Sequence, residues 1–149
     1  MSDWVVVTPE PLSLDTAVRH VEHESAGAIS TFVGTTRDNF QGKVVEHLEY
    51  EGYVPMAEKE LKNICVSIRT KWPHVVGIAM LHRLGVVAVK EASVIIAVSS
   101  PHRQEALEAV AYGIDTLKAR VPIWKLEKYA GDDRVWKENP EWRTMVPIE

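Results

Sequence analysis

Two lysines bracket a proline corner late in the chain: Lys118 in DTLKARVP and Lys125 in PIWK. Lys118 follows Ile114 by about one helical turn and borders an apolar stripe. A partly desolvated lysine there can act as a neutral base or nucleophile. It can equally be a surface cation that suits a helix C-terminus. Lys125 lies between Trp124 and Leu126 and, in an extended segment, shares a face with Ile123 and Glu127. Upstream, His102 and Arg103 sit in what reads as the first turn of the same helix. The helix dipole disfavours cations there, so their presence makes more sense beside a bound anion. Arg37, where a strand gives way to the loop TTRDNFQGK, is a further candidate for holding an anion, or a solvated loop residue. The residues alone point to a site for a small anion, served by one or two lysines.

The elements that must position these groups follow from spacing. Ser99 and Ser100 are candidate helix caps, and Pro101 suits the first helical position. Leu107, Val110, Ile114, Leu117 and Val121 recur with a helical period, and Pro122 ends the run. Ile123–Leu126 restarts as a strand. Before this lies ASVIIAV at 92–98, a continuous apolar run expected of a central strand covered on both faces.

Earlier segments complete the pattern. Trp4–Val7 reads as a strand, and Ser13 caps a helix with Leu14, Ala17, Val18 and Val21 on one face. That helix carries His20 and His23, whose spacing would suit a metal but which lack a convincing third ligand. Gly27–Gly34 and Val44–Gly52 read as strands, the second alternating strictly with one wet face. Pro55 opens a helix whose stripe is Ala57, Leu61, Ile64, Ile68 and Trp72, with Cys65 beside it as a buried thiol. Val75–Leu81 is another strand. His82 behind it reads as a structural or turn residue. No helix separates 75–81 from 92–98, so these two should pair antiparallel. Residues from about 130 onward read as a polar, irregular or partly helical tail in which Trp136 and Trp142 could mark a contact surface. The expectation is a single domain over 1–149, of α+β class, with about six strands and three helices.

Composition bounds the function. A net charge of -4 argues against bulk nucleic-acid binding, though not against a local basic pocket. The lone Cys65 excludes an internal disulfide and suits a reducing compartment. No signal peptide or membrane-length apolar run is visible, so the expectation is a cytoplasmic protein. GxGxxG, Walker A and HExxH patterns are missing, and no Ser-His-Asp arrangement stands out.

GAISTFVGTTRD, the SSPHR helix start and IDTLKARVPIWKLE together resemble the large, catalytic subunit of molybdopterin synthase, the MoaE family, from Trp4 to about Trp136. The resemblance implies an α/β-hammerhead-type fold with a mixed, largely antiparallel sheet. It implies a sulfurtransferase that converts cyclic pyranopterin monophosphate (precursor Z) to molybdopterin in molybdenum cofactor biosynthesis. The sulfur would come from the C-terminal Gly-Gly thiocarboxylate of a small ubiquitin-like sulfur-carrier subunit of MoaD type, with no metal or redox cofactor required. Large subunits would form a homodimer inside a heterotetramer. Lys118 and Lys125 match the family's active-site lysines. His102 and Arg103 match a substrate-binding pair contributed across the dimer interface, and Arg37 matches the arginine of the anion pocket. Thr35, Thr36 and Glu127 fall in substrate-lining segments. A non-catalytic scaffold that docks a ubiquitin-like tail is the reading from another class.

Overall fold

The computed structural model describes residues 3–131 and the backbone of 134–137. The chain order is β1 (Trp4–Thr8), α1 (Leu14–Val21), β2 (Ala28–Thr35), β3 (Asn39–Phe40), β4 (Lys43–Gly52), α2 (Val54–Lys71), β5 (Gly77–Arg83), β6 (Gly85–Ala88), β7 (Ala92–Ser100), α3 (Arg103–Arg120), β8 (Ile123–Tyr129) and β9 (Arg134–Lys137). A four-stranded sheet runs β1-β5-β7-β2, with β1 parallel to β5 and the other pairs antiparallel. A second, antiparallel sheet runs β3-β4-β8-β9, and β6 also pairs with β4. The class is α+β, as expected, with more strands than periodicity resolves.

The apolar runs of β5 and β7 explain how the first sheet is covered. Ile78, Met80, Val94, Ile96 and Val98 point to one face and meet α2 and α3 through Leu61, Ile64, Ile68 and Val110. Ala79, Leu81, Ile95 and Ala97 point to the other face and meet Ala17 and Val21 of α1. Side chains alternate across a strand, so coverage on both faces requires an unbroken apolar sequence. Cys65 lies in the first of these cores at 1% exposure. Burial pushes its thiol up to about 12, so it is an inert packing group.

Local signals explain several boundaries. The Ser13 hydroxyl accepts from the Thr16 backbone N–H at the start of α1. Gln41 and Gly42 both have positive φ, 49° and 81°, as the two-residue connection between β3 and β4 requires. Arg69 ties the end of α2 to the chain on either side. Its guanidinium donates to both Asp3 oxygens, at 2.6 Å for the shortest contact, and to the carbonyls of Val75 (3.1 Å) and Val76 (2.9 Å). Arg69→Met should cost about 2 kcal/mol, because two carbonyls and a carboxylate lose charged donors together. A urea midpoint that falls at constant slope is the expected reading, and an unchanged midpoint would show the cluster to be inert.

Several expectations are corrected. Ser99 and Ser100 do not cap α3. They extend β7, fully buried, paired through Gly77↔Ser99 and Ala28↔Ser100. Ser99 Oγ accepts from the Gly77 N–H at 2.9 Å, and Ser100 Oγ donates to the His102 carbonyl. Pairing on both sides outweighs local capping, so His102 becomes the N-cap and Pro101 stays outside the helix. The buried face of α3 is also rotated from the expected stripe. Leu107 is 58% exposed, while Ala106, Ala109, Gly113, Thr116 and Ala119 join Val110 and Leu117 inside. Small side chains carry little hydrophobic signal, yet they form the face that packs on β2 and β7. His23 falls beyond the end of α1, and its Nδ1 is within 2.7 Å of Ser25 Oγ. His20 stacks on Trp4 at 5.0 Å. Part of the expected tail is the strand β9. The side chain of Trp136, and Trp142 altogether, lie outside the described residues.

Candidate active site: a cationic cavity between the two sheets

A cavity of about 550 Å³ opens where the end of α3 meets both sheets. Each element delivers side chains to it for a local reason. On β8 the alternate residues Ile123, Lys125 and Glu127 face inward together, as their spacing predicts. Lys118 arrives from the last turn of α3, with Ile114, Leu117 and Val121 around it. Pro122 turns the chain, so the two lysines converge on one cavity. Thr35 and Arg37 enter from the end of β2 and the loop behind it. Lys118 and Lys125 are half-buried, Arg37 is exposed and Glu127 is 3% exposed.

β4 lies beside β8 in the same sheet and continues its wall. It contributes Val45, Leu48 and Tyr50, which do not share one strict alternation. The ladder to β8 shifts register between Val45 and His47, and that irregularity resets the phase. The expected uninterrupted alternation of 44–52 therefore fails at one point. Beyond it, Leu48 stands opposite Glu127 and Tyr50 opposite Lys125.

The floor holds His82, Tyr50 and Ser93, and none of these roles was anticipated. His82 is not a turn residue. It is the sixth residue of β5, 5% exposed, on the face of Ile78 and Met80. That period-two pattern was the available signal. Its Nδ1–H donates to the Arg83 carbonyl at 2.8 Å. Burial pulls its basicity down to about 4, so the ring is neutral near pH 7. Burial raises the Tyr50 hydroxyl above its ordinary value, against the opposing effect of its hydrogen bond with Ser93; nearby Glu127 raises it further. Tyr50 and His82 meet edge to face, with ring centroids 5.2 Å apart. No sequence signal could have paired Tyr50 with Lys125, because that needs the β4–β8 register.

Three expected site residues lie elsewhere. Thr36 is 3% exposed, and its hydroxyl donates to the Val87 carbonyl at 3.3 Å, so it pins the loop and does not line the cavity. His102 and Arg103 are exposed at the far end of α3. Fifteen residues of helix separate Arg103 from Lys118, roughly 22 Å at about 1.5 Å per residue. The cavity of one chain thus does not bring that pair to its own lysines.

Chemically, three cations, Arg37, Lys118 and Lys125, face one carboxylate, Glu127, in a chain whose net charge is -4. Phe32, Phe40, Leu48 and Ile123 supply apolar wall. Such walls strengthen electrostatic attraction and suit a flat ring that carries an anionic group. The fold and site define a cationic, anion-binding pocket on an α+β scaffold.

Comparison with known proteins narrows this. The sequence profile described as MoaE protein matches residues 7–120. The molybdopterin synthase catalytic subunit of Taeniopygia guttata is 58% identical over 139 residues, which cover 93% of this chain and 89% of that protein. The crystal structure of molybdopterin synthase from Staphylococcus aureus superposes with a TM-score of 0.84 at 38% identity, over 88% of this chain and 94% of the other. A complex of subunits 1 and 2 of the molybdopterin-converting factor from Helicobacter pylori shares the fold, with a TM-score of 0.71 at 20% identity, over 93% and 91% of the two chains. The chain belongs to the MoaE family of molybdopterin synthase catalytic subunits.

Proposed function

We propose that this protein is the sulfurtransferase subunit that converts cyclic pyranopterin monophosphate to molybdopterin, with sulfur from the thiocarboxylated C-terminus of a small ubiquitin-like partner. The observation that carries the reading is the convergence of Lys118 and Lys125, on two different elements, with Arg37 in one cavity. Family membership and the likeness to a two-subunit complex support the same reaction and the same kind of partner.

The roles follow from position. Arg37 holds the anionic group of the pterin at the mouth. Thr35 and Glu127 line the pocket beside it. Lys118 meets the incoming thiocarboxylate and stabilises its carboxyl chemistry or takes a proton, and Lys125 assists proton transfer on the opened pterin ring. Each product needs two sulfur atoms, so the spent partner must exchange once. His102 and Arg103 serve the cavity of a second copy, which the homodimer of a heterotetramer would provide. No helix among the described residues is long and apolar enough to cross a membrane, and the buried Cys65 suits the cytoplasm.

A tail-docking scaffold and an enzyme differ in how binding and turnover respond to substitution. Lys118→Ala and Lys125→Ala should abolish product while the affinity for the thiocarboxylated partner, measured by calorimetry, falls by no more than about tenfold, as for a rim charge. Parallel loss of binding and turnover would favour the scaffold.

A further inference from the structure

Arg37 lines the cavity from an exposed loop, yet the backbone on either side of it is held. Upstream, Thr36 is gripped by the hairpin that joins β6 to β7. Its N–H donates to the Glu91 carbonyl at 3.1 Å, and its carbonyl accepts from the Lys90 N–H at 2.9 Å. Its hydroxyl donates to the Val87 carbonyl at 3.3 Å. All three hydrogen-bonding groups of this buried residue are thus engaged by the hairpin, and Thr36 forms a parallel bridge with Val89. Downstream, the Asp38 carbonyl accepts from the Val45 N–H at 2.8 Å.

The hairpin is braced to keep that grip. Its turn closes through the Glu91 N–H, which donates to the Ala88 carbonyl at 3.0 Å. Lys90, the third residue of the turn, has a φ of 78°. A residue with a side chain stays in that left-handed region only where surrounding contacts hold it there. In this conformation Lys90 presents its N–H to the Thr36 carbonyl. Glu91 Oε1 accepts from the Ala88 N–H at 2.9 Å and from Arg83 Nη1 at 3.3 Å. A continuous series of contacts therefore runs from Arg83, at the end of β5, through Glu91 and the turn to Thr36. The sheet alone would not hold residue 37, because the β2–β7 ladder shifts register between Gly34 and Thr35 and ends there. An arginine on an unheld loop would have to be ordered by each incoming anion, at a cost in affinity. Fixing the backbone beforehand removes part of that cost.

We propose that Thr36 is a positioning residue: clasped by the hairpin at 87–91, with Glu91 as its brace, it fixes the backbone from which Arg37 reaches the anionic group of the substrate. This rests on the reading of Arg37 as the anion-holding group of the sulfur-transfer site. Thr36 acts through Arg37 and lies outside the cavity lining. Loosening the clasp should therefore weaken pterin binding and leave the chemical step at the two lysines unchanged.

The test uses the full chain, reconstituted with thiocarboxylated small subunit and cyclic pyranopterin monophosphate. Thr36→Val keeps the branched shape and removes the hydroxyl. It should raise KM for the pterin about fivefold, the scale of one lost hydrogen bond, with kcat and the Kd for the small subunit within about twofold of the parent. Thr36→Ser keeps the hydroxyl and should restore the parental KM. Glu91→Ala removes the brace at a half-exposed side chain, should also raise KM, and keeps the question answerable if Thr36→Val folds poorly. In an Arg37→Ala background, neither substitution should raise KM further, because both act through the guanidinium. A parental KM in either folded variant, or an equal rise with and without Arg37, would overturn the proposal. Arg37→Ala alone separates the two levels. If it raises KM while Thr36→Val and Glu91→Ala do not, only the positioning role falls. If Arg37→Ala leaves KM unchanged, the reading of Arg37 as the anion holder falls, and the positioning role with it.

Discussion

Lys118→Ala should lower molybdopterin formation by roughly a thousandfold or more, the scale on which a positioned proton-transfer or charge-stabilising group acts. The side chain enters the cavity from the last turn of α3, where Ile114, Leu117 and Val121 surround it and Lys125 enters from the adjacent strand. Truncation removes a cation without disturbing the core, because Lys118 is half-buried at the cavity wall while its neighbour Leu117 fills the interior. The thermal midpoint should therefore stay within a few degrees of the parent. Single-turnover assays with thiocarboxylated partner would read the loss directly. Near-normal synthesis in this variant would remove Lys118 from the chemistry. Lys118→Arg is informative beside it: the charge persists, but the guanidinium does not release a proton near neutrality. Rescue by arginine would point to charge stabilisation, and failure of rescue to proton transfer.

The second large effect concerns acid stability. His82 is neutral in the folded protein, with burial holding it at about 4, against an ordinary value of 6.5. Above 6.5 both folded and unfolded chains carry a neutral ring, and the residue adds no pH dependence. Between 6.5 and about 4 the unfolded chain binds a proton that the native chain does not. The unfolding free energy then falls as pH falls. Below about 4 the native ring also takes up its proton, and the contribution levels off. Across the window the loss is about 3 kcal/mol, at 1.36 kcal/mol per pH unit. His82→Asn cannot titrate there. It should start less stable at pH 7, because the packing with Tyr50 is lost, and then decline by about 3 kcal/mol less than the parent. Urea unfolding at half-unit pH steps would decide this. Parallel pH curves for parent and variant would mean that His82 charges in the folded state without penalty.

Much of the fold was legible because hydrophobic period and breakers agree where burial is two-sided or strongly one-sided. The run at 92–98 announced a central strand, and β7 pairs on both sides. Ser13 announced α1, and Pro55 announced α2. The failures share a cause: tertiary pairing overrode a local signal. Ser99 and Ser100 look like caps until β2 and β5 claim them. Leu107 looks like core until the alanines of α3 take the sheet. β9 hides in a polar segment because the pattern does not reveal its partner, β8.

The site divides along the same line. Spacing around Pro122 and the strand exit offered Lys118, Lys125 and Arg37 as candidates beside ordinary surface roles, and the family resemblance added Glu127; the cavity brings all four together. Tyr50, His82 and Ser93 were not legible, because their meeting depends on how the two sheets face each other. His102 and Arg103 show the limit differently. The oddity of cations at a helix start is real, yet among the described residues they line no cavity with the two lysines. Under the proposed function, the cavity they serve is that of a second copy of the chain.

The most direct test of the central claim is reconstitution from purified components: this chain, a thiocarboxylated small ubiquitin-like subunit and cyclic pyranopterin monophosphate. The account predicts that molybdopterin forms, with two small subunits converted from thiocarboxylate to carboxylate for each molecule of product. Tight binding of the small subunit with the pterin left unchanged would contradict it.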